Sequence, residues 1–181
     1  MLSASYNSSL VFLSFLVAIL ASYTALNLAG RINSLRGKNI LGWLTVGAGA
    51  MGVGIWSMHF IGMLAFQLPI PLSYDFQISA LSLIIAVLAS GFALWQINRP
   101  QLPVTHLVVS AIIMGFAIAA MHYTGMAALR MSPAIEYDIF LFIASIAIAV
   151  LASGVALWIA FKLRKDCLLY TSPSPRDKRQ S

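Results

Sequence analysis

All sixteen charged side chains of this 181-residue chain, eleven Lys and Arg with five Asp and Glu, fall outside five long apolar runs. The runs cover about residues 8 to 29, 40 to 66, 76 to 97, 104 to 129 and 139 to 161. A helix rises ~1.5 Å per residue, so about 20 residues cross a ~30 Å hydrocarbon core, and hydrocarbon excludes charge. Each run therefore reads as a spanning helix. The expected fold is all-α, a polytopic membrane helix bundle of five transmembrane helices. The first run has neither a basic leader nor a small-residue cleavage site, and reads as an uncleaved anchor.

The breaks between the runs carry turn formers, with Pro69 and Pro71 before Asp75, Pro100 and Pro103 after Arg99, and Pro133 before Asp138. A repeat of 63 residues links the runs. Ala86-Val87-Leu88-Ala89-Ser90-Gly91 recurs unchanged as Ala149 to Gly154, and Ala93-Leu94-Trp95 recurs as Ala156-Leu157-Trp158. The repeating unit is two helices, and equivalent positions should sit in equivalent environments. Five glycines of the second run, Gly47, Gly49, Gly52, Gly54 and Gly62, suit close helix contact. In the first run, Ser22, Tyr23, Thr24 and Asn27 form a face expected to point into the bundle.

Charge placement sets the orientation. The breaks after the first, third and fifth runs hold Arg31, Arg36, Lys38, Arg99, Lys162, Arg164 and Lys165, whereas the other breaks hold only Arg130. Cytoplasmic loops carry the excess of Lys and Arg, so the N-terminus is expected outside and the end of the fifth helix inside. The net charge of +6 thus belongs to loops and tail. The positives form no stripe interleaved with aromatics, which argues against a nucleic-acid partner. The single cysteine, Cys167, excludes an intrachain disulfide and a Cys-based metal site.

The chemistry lies in two six-residue copies, Met58-His59-Phe60-Ile61-Gly62-Met63 and Met121-His122-Tyr123-Thr124-Gly125-Met126. On a helix the histidine and the methionine four places later share a face, and the methionine before the histidine flanks it. An intramembrane histidine is costly and reads as functional by default. Its bland alternative is a neutral imidazole donating to a neighbouring carbonyl. Thioether and imidazole together favour Cu(I), so the candidate metal ligands are His59, Met63, His122 and Met126, with Met58 and Met121 as further candidates. Tyr123 and Thr124 could donate to a bound ligand, which Phe60 and Ile61 cannot. Met51 and Met114 read as packing residues, and His106 as a wet histidine at a helix start.

These two motifs within hydrophobic helices resemble the MHYT domain, an integral membrane sensor module of bacterial signalling proteins, over about residues 5 to 163. The resemblance implies a sensory input domain that binds copper through the motif His and Met residues and, through it, a diatomic gas such as O2, CO or NO. It also implies a cytoplasmic output domain in the intact protein, for instance a diguanylate cyclase, phosphodiesterase or kinase. Family members usually have seven helices and three motifs, so five helices and two motifs read as an incomplete domain, itself not an enzyme. Asn27 stands where an acidic residue is expected in the family. Residues 164 to 181 look like translated adapter sequence or a disordered tail, and are expected to lie outside the fold.

Other classes stay open. A transporter would more often show charged relay residues or broken helices at the midplane. Haem held by His59 and His122 is the other cofactor to consider.

Overall fold

In the computed structural model, the structure describes residues 5–34, 39–67, 73–99, 101, 103–131 and 137–171. Among the described residues there are five helices: α1 (Ser8–Ser34), α2 (Asn39–Ala65), α3 (Phe76–Ile97), α4 (Val104–Ala127) and α5 (Ile139–Thr171). All five are long and apolar enough to cross a membrane, through Ser8–Leu28, Ile40–Ala65, Phe76–Ile97, Val104–Ala127 and Ile139–Leu163. The all-helical membrane architecture expected from the sequence is the one found.

Helix starts on one side of the bundle share a capping device. Asn7 Oδ1 accepts from the backbone N–H of Ser9 and Leu10 at 3.0 and 3.3 Å. Asp75 Oδ1 does the same for Gln77 and Ile78 at 2.9 and 3.1 Å. Asp138 Oδ1 repeats it for Phe140 and Leu141 at 2.8 and 3.1 Å. Each cap satisfies N–H groups that the first turn of a helix leaves without partners.

Two short strand pairings, not expected from the sequence, tie the same side together. Strand β1 (Ser5–Tyr6) pairs antiparallel with β2 (Phe66–Gln67), so the start of α1 lies beside the end of α2. Strand β3 (Ser73–Tyr74) pairs with β4 (Leu129–Arg130), joining the start of α3 to the end of α4. The ends of α2 and α4 thus lie on one side, and the two motif helices run parallel.

The sequence repeat is also a repeat in space. A Cβ added to Gly52 would stand 2.6 Å from the Cα of Val87, and one added to Gly115 would stand 2.6 Å from the Cα of Val150. Adding 63 to Gly52 and Val87 gives Gly115 and Val150, so α2 meets α3 as α4 meets α5. The smaller contacts follow suit: Gly91 faces the Cβ of Ala48 and Gly154 that of Ala111, both at 3.3 Å. Without side chains these glycines let the backbones approach closely, the packing that hydrocarbon favours when no water drives helices together. Gly49, expected to do likewise, faces open space.

Helix α3 is central, packing on α2 and α4 and touching α1 and α5. The core joins Ala89, Ala93, Leu94 and Ile97 of α3 to Met114 of α4 and Leu157 of α5, with Met51 packed against it. Met51 and Met114 are therefore packing residues.

One expectation needs correction. The polar face of α1 does not enter the bundle: Ser22, Tyr23 and Asn27 are exposed. Ser22 and Thr24 donate to the carbonyls of Ala18 and Leu20, both at 2.8 Å, and Asn27 Nδ2 donates to that of Tyr23 at 2.9 Å. Short polar side chains can return to the preceding turn of their own helix, and so need no bundle to be satisfied. Helix α5 runs to Thr171, past the end of the fifth apolar run at about 161. No glycine or proline interrupts the chain between Gly154 and Pro173, so nothing local stops the helix earlier. Residues 172 to 181 lie outside the described residues.

Candidate functional site

The parallel course of α2 and α4 brings the two motif histidines together. The rings of His59 and His122 lie 5.0 Å apart between centroids, at an interplanar angle of 67°. Both side chains are partly buried. His59 reaches α4 because Gly125 leaves a gap there: a Cβ on Gly125 would stand 2.7 Å from His59 Nε2 and 3.0 Å from its Cδ2. The motif glycine of one copy thus receives the motif histidine of the other. His59 Nε2 is buried and has no hydrogen-bond partner among the described residues.

That orphaned nitrogen weighs against the bland reading, in which the imidazole would donate to a neighbouring carbonyl. A buried ring nitrogen without a partner forfeits ~1–3 kcal/mol unless something else engages it.

The motif methionines stand on the same two helices. Met121 is buried, and Met58, Met63 and Met126 are partly buried. Among the described residues no cluster of three or more His, Cys, Asp or Glu side chains exists. Thioethers are the soft donors that the two motifs carry besides their imidazoles.

Tyr123 turns away from the pair and towards α5. Its hydroxyl lies 2.6 Å from Ser145 Oγ, and its ring packs 4.7 Å from Phe142 and 5.6 Å from Tyr137. Its edge still meets His122, with centroids 5.0 Å apart. Thr124 is partly buried, with its carbonyl accepting from Ala128 at 3.1 Å. His106 is exposed near the start of α4, with Nδ1 3.4 Å from a nitrogen of Arg99, far in sequence from the pair.

Sequence reasoning missed a set of serines that grip the motif helices. Ser14 of α1 donates to the carbonyl of Met58 at 2.9 Å, directly before His59. Ser82 of α3 accepts from Trp56 Nε1 at 3.1 Å, one turn before His59. Ser145 of α5, which is Ser82 moved on by 63, bonds Tyr123 beside His122. The sequence signal was present in Ser82 and Ser145 as repeat partners. The donors differ, since Trp56 maps onto Ala119 and Phe60 onto Tyr123.

Outside the spans, Asp75 fixes the end of α4 to the start of α3. Its second oxygen takes Arg130 at 2.6 Å. That hydrogen bond, with the backbone N–H of Ile78 next in importance, holds the Asp75 carboxyl below its usual pKa. Burial pushes the Tyr74 hydroxyl above its usual value.

Comparison with known proteins gives a consistent picture. A family model described as MHYT, the bacterial signalling protein N-terminal repeat, matches residues 2–42, 52–110 and 115–170. The second and third stretches begin 63 residues apart, which is the internal repeat. The chain is 60% identical over 164 residues to the bifunctional diguanylate cyclase/cyclic di-GMP phosphodiesterase MucR of Pseudomonas aeruginosa, covering 91% of this chain and 24% of that protein. It is 46% identical over 156 residues to the cyclic di-GMP phosphodiesterase NbdA of the same organism, covering 86% of this chain and 20% of that protein. It is 38% identical over 159 residues to the signalling protein YkoW of Bacillus subtilis, covering 88% and 20%. The chain thus spans a quarter or less of these relatives. No solved structure matches.

Proposed function

The chain belongs to the MHYT family of bacterial signalling proteins, and from that premise we propose that residues 5–163 are a membrane-embedded sensory input domain whose His59–His122 pair binds Cu(I). The observation that carries the reading is the pair itself: two imidazoles 5.0 Å apart, one with a buried nitrogen that no described residue engages. Two imidazoles bound to one ion at ~2.0 Å per nitrogen have centroids about 5 Å apart at a near-tetrahedral angle, and about 6.3 Å apart when collinear. The observed spacing suits the first. Haem between axial histidines needs the collinear distance and room for a porphyrin plane, so the pair as it stands does not fit haem.

Thioethers from Met63 and Met126, with Met58 and Met121 as alternates, would complete a soft set. Bound there, Cu(I) would offer an open coordination position to a small molecule such as O2, CO or NO. The protein's own part is to hold the imidazoles at one depth and to keep the surroundings apolar. A sensed ligand acts only by preferring one of two helix arrangements.

The names of the relatives speak of cyclic di-GMP enzymes. We place a comparable output domain on the cytoplasmic side of the intact protein, beyond α5, with the N-terminus outside. The charge placement supports this orientation. An alkaline phosphatase fused after Leu72 should be active and one fused after Asn98 silent, and the reverse overturns the orientation.

The metal reading is tested by Cu(I) titration of purified protein under reducing conditions against a competing chelator. His59→Ala or His122→Ala should each lose most of the affinity if one ion is shared. A double variant that binds copper as tightly as the unaltered chain makes the histidines packing residues.

A further inference from the structure

The end of the bundle opposite the strand pairings carries a second repeated device, unrelated to the histidines. At the end of α3, the guanidinium carbon of Arg99 lies 4.2 Å from the ring centroid of Trp95. On α5, Nζ of Lys162 lies 5.3 Å from the ring centroid of Trp158. Adding 63 to Trp95 and Arg99 gives Trp158 and Lys162, so the repeat has kept an indole with a cation one turn on while Arg changed to Lys. Both indoles face outward, Trp95 48% and Trp158 52% exposed. Each stands within the last turns of an apolar span, those spans ending at Ile97 and Leu163. That level is the boundary between acyl chains and headgroups, where indoles collect.

Net charge separates the two ends. Among the described residues up to 166, this end holds five cations (Arg31, Arg99, Lys162, Arg164 and Lys165) and one acid, Asp166, a balance of +4. The other end holds, among the described residues, one cation, Arg130, against Asp75 and Asp138, a balance of −1. A cation resting on an indole is held near the interface and costs less to order when an anion arrives. Guanidinium and ammonium N–H groups suit phosphate oxygens. The indole beside it offers an apolar wall for the glycerol and the first acyl carbons.

We propose that Trp95–Arg99 and Trp158–Lys162 are two equivalent stations for the headgroup of an anionic phospholipid, each holding one phosphodiester of a lipid of the phosphatidylglycerol type. His106, with Nδ1 3.4 Å from an Arg99 nitrogen, borders the first station. Nothing in this requires the histidine pair to bind a metal.

The test uses the full chain in a mild detergent, with phosphatidylglycerol and phosphatidylcholine added at equal concentration and retained lipid counted by native mass spectrometry. The unaltered chain should retain phosphatidylglycerol selectively. Arg99→Gln and Lys162→Gln should each retain one lipid fewer, and the double variant two fewer. Arg130→Gln, at the other end, should retain as many as the unaltered chain. Equal retention of the two lipids, or full retention of phosphatidylglycerol by the double variant, overturns the proposal. A measurement on the unaltered chain guards against variants that fail to fold: brominated phosphatidylglycerol should quench tryptophan fluorescence at least several-fold more efficiently than brominated phosphatidylcholine, and equal quenching overturns it as well.

Discussion

The side-chain nitrogen Nε2 of His59 lies 2.7 Å from the place a Cβ on Gly125 would occupy. The approach of the two motif helices at this level therefore depends on a missing methyl group as much as on the imidazole.

Gly125→Ala should force the His59 ring to shift, at ~1–3 kcal/mol, the usual cost of overpacking a well-filled site. Gly49 faces open space, and Gly49→Ala should be neutral or slightly stabilising, since alanine is the better helix former. Thermal unfolding in detergent compares the two. Equal midpoints would mean that His59 is not seated on Gly125.

Gly52→Ala and Gly115→Ala should both be more damaging than Gly125→Ala, because each new methyl meets the backbone of Val87 or Val150, which cannot rotate away. Truncating the partner to Val87→Ala should fail to rescue Gly52→Ala, as the nearest atom is Val87 Cα at 2.6 Å. Recovery of expression and of the unfolding midpoint in that double variant would show a side-chain clash instead.

Ser145→Ala and Tyr123→Phe each remove one end of a 2.6 Å hydrogen bond. Their double-mutant cycle should give a coupling of about 0.6 kcal/mol, the usual size for a hydrogen bond between membrane helices. Ser14→Ala should cost a similar amount by freeing the carbonyl of Met58. A coupling of zero would place the Tyr123 hydroxyl elsewhere.

The Asp75–Arg130 link predicts a pH dependence with a definite sign. The Asp75 carboxyl titrates below its ordinary value because Arg130 and the N–H of Ile78 hold its charged form. Its contribution to stability is therefore complete above the ordinary aspartate pKa of about 3.9, and is lost as pH falls through the lower folded-state value. Asp75→Ser keeps a capping oxygen but drops the ion pair. The stability difference between the unaltered chain and Asp75→Ser should narrow as pH falls through that acid range. A difference that stays constant down to acid pH would assign Asp75 to capping alone.

How much of this was legible in the sequence depends on what each feature needs from its neighbours. The spans could be read because hydrocarbon sorts residues by type, whatever they touch. The nearness of His59 and His122 followed from a repeat of 63 carried by parallel helices. The strand pairings could not be read, because two residues such as Ser5 and Tyr6 are too short to show a period. The α1 polar face was misread because Ser22, Thr24 and Asn27 look alike in sequence whether they bond another helix or their own turn. The glycines were legible as a class but not singly, since Gly52 meets backbone while Gly49 meets nothing.

The strand pairings, with the Asp75–Arg130 link, make one end of the bundle a fulcrum. Measured from Ala65, where α2 meets that fulcrum, His59 lies about 9 Å along the helix and Asn39 about 39 Å, at ~1.5 Å per residue. A rigid tilt of α2 about its pinned end therefore carries its far end roughly four times as far as it carries the imidazole. Helix α4, pinned through β4, is geared in the same way, so a displacement between the two rings too small to break their packing becomes a stroke of ångströms at the opposite membrane face.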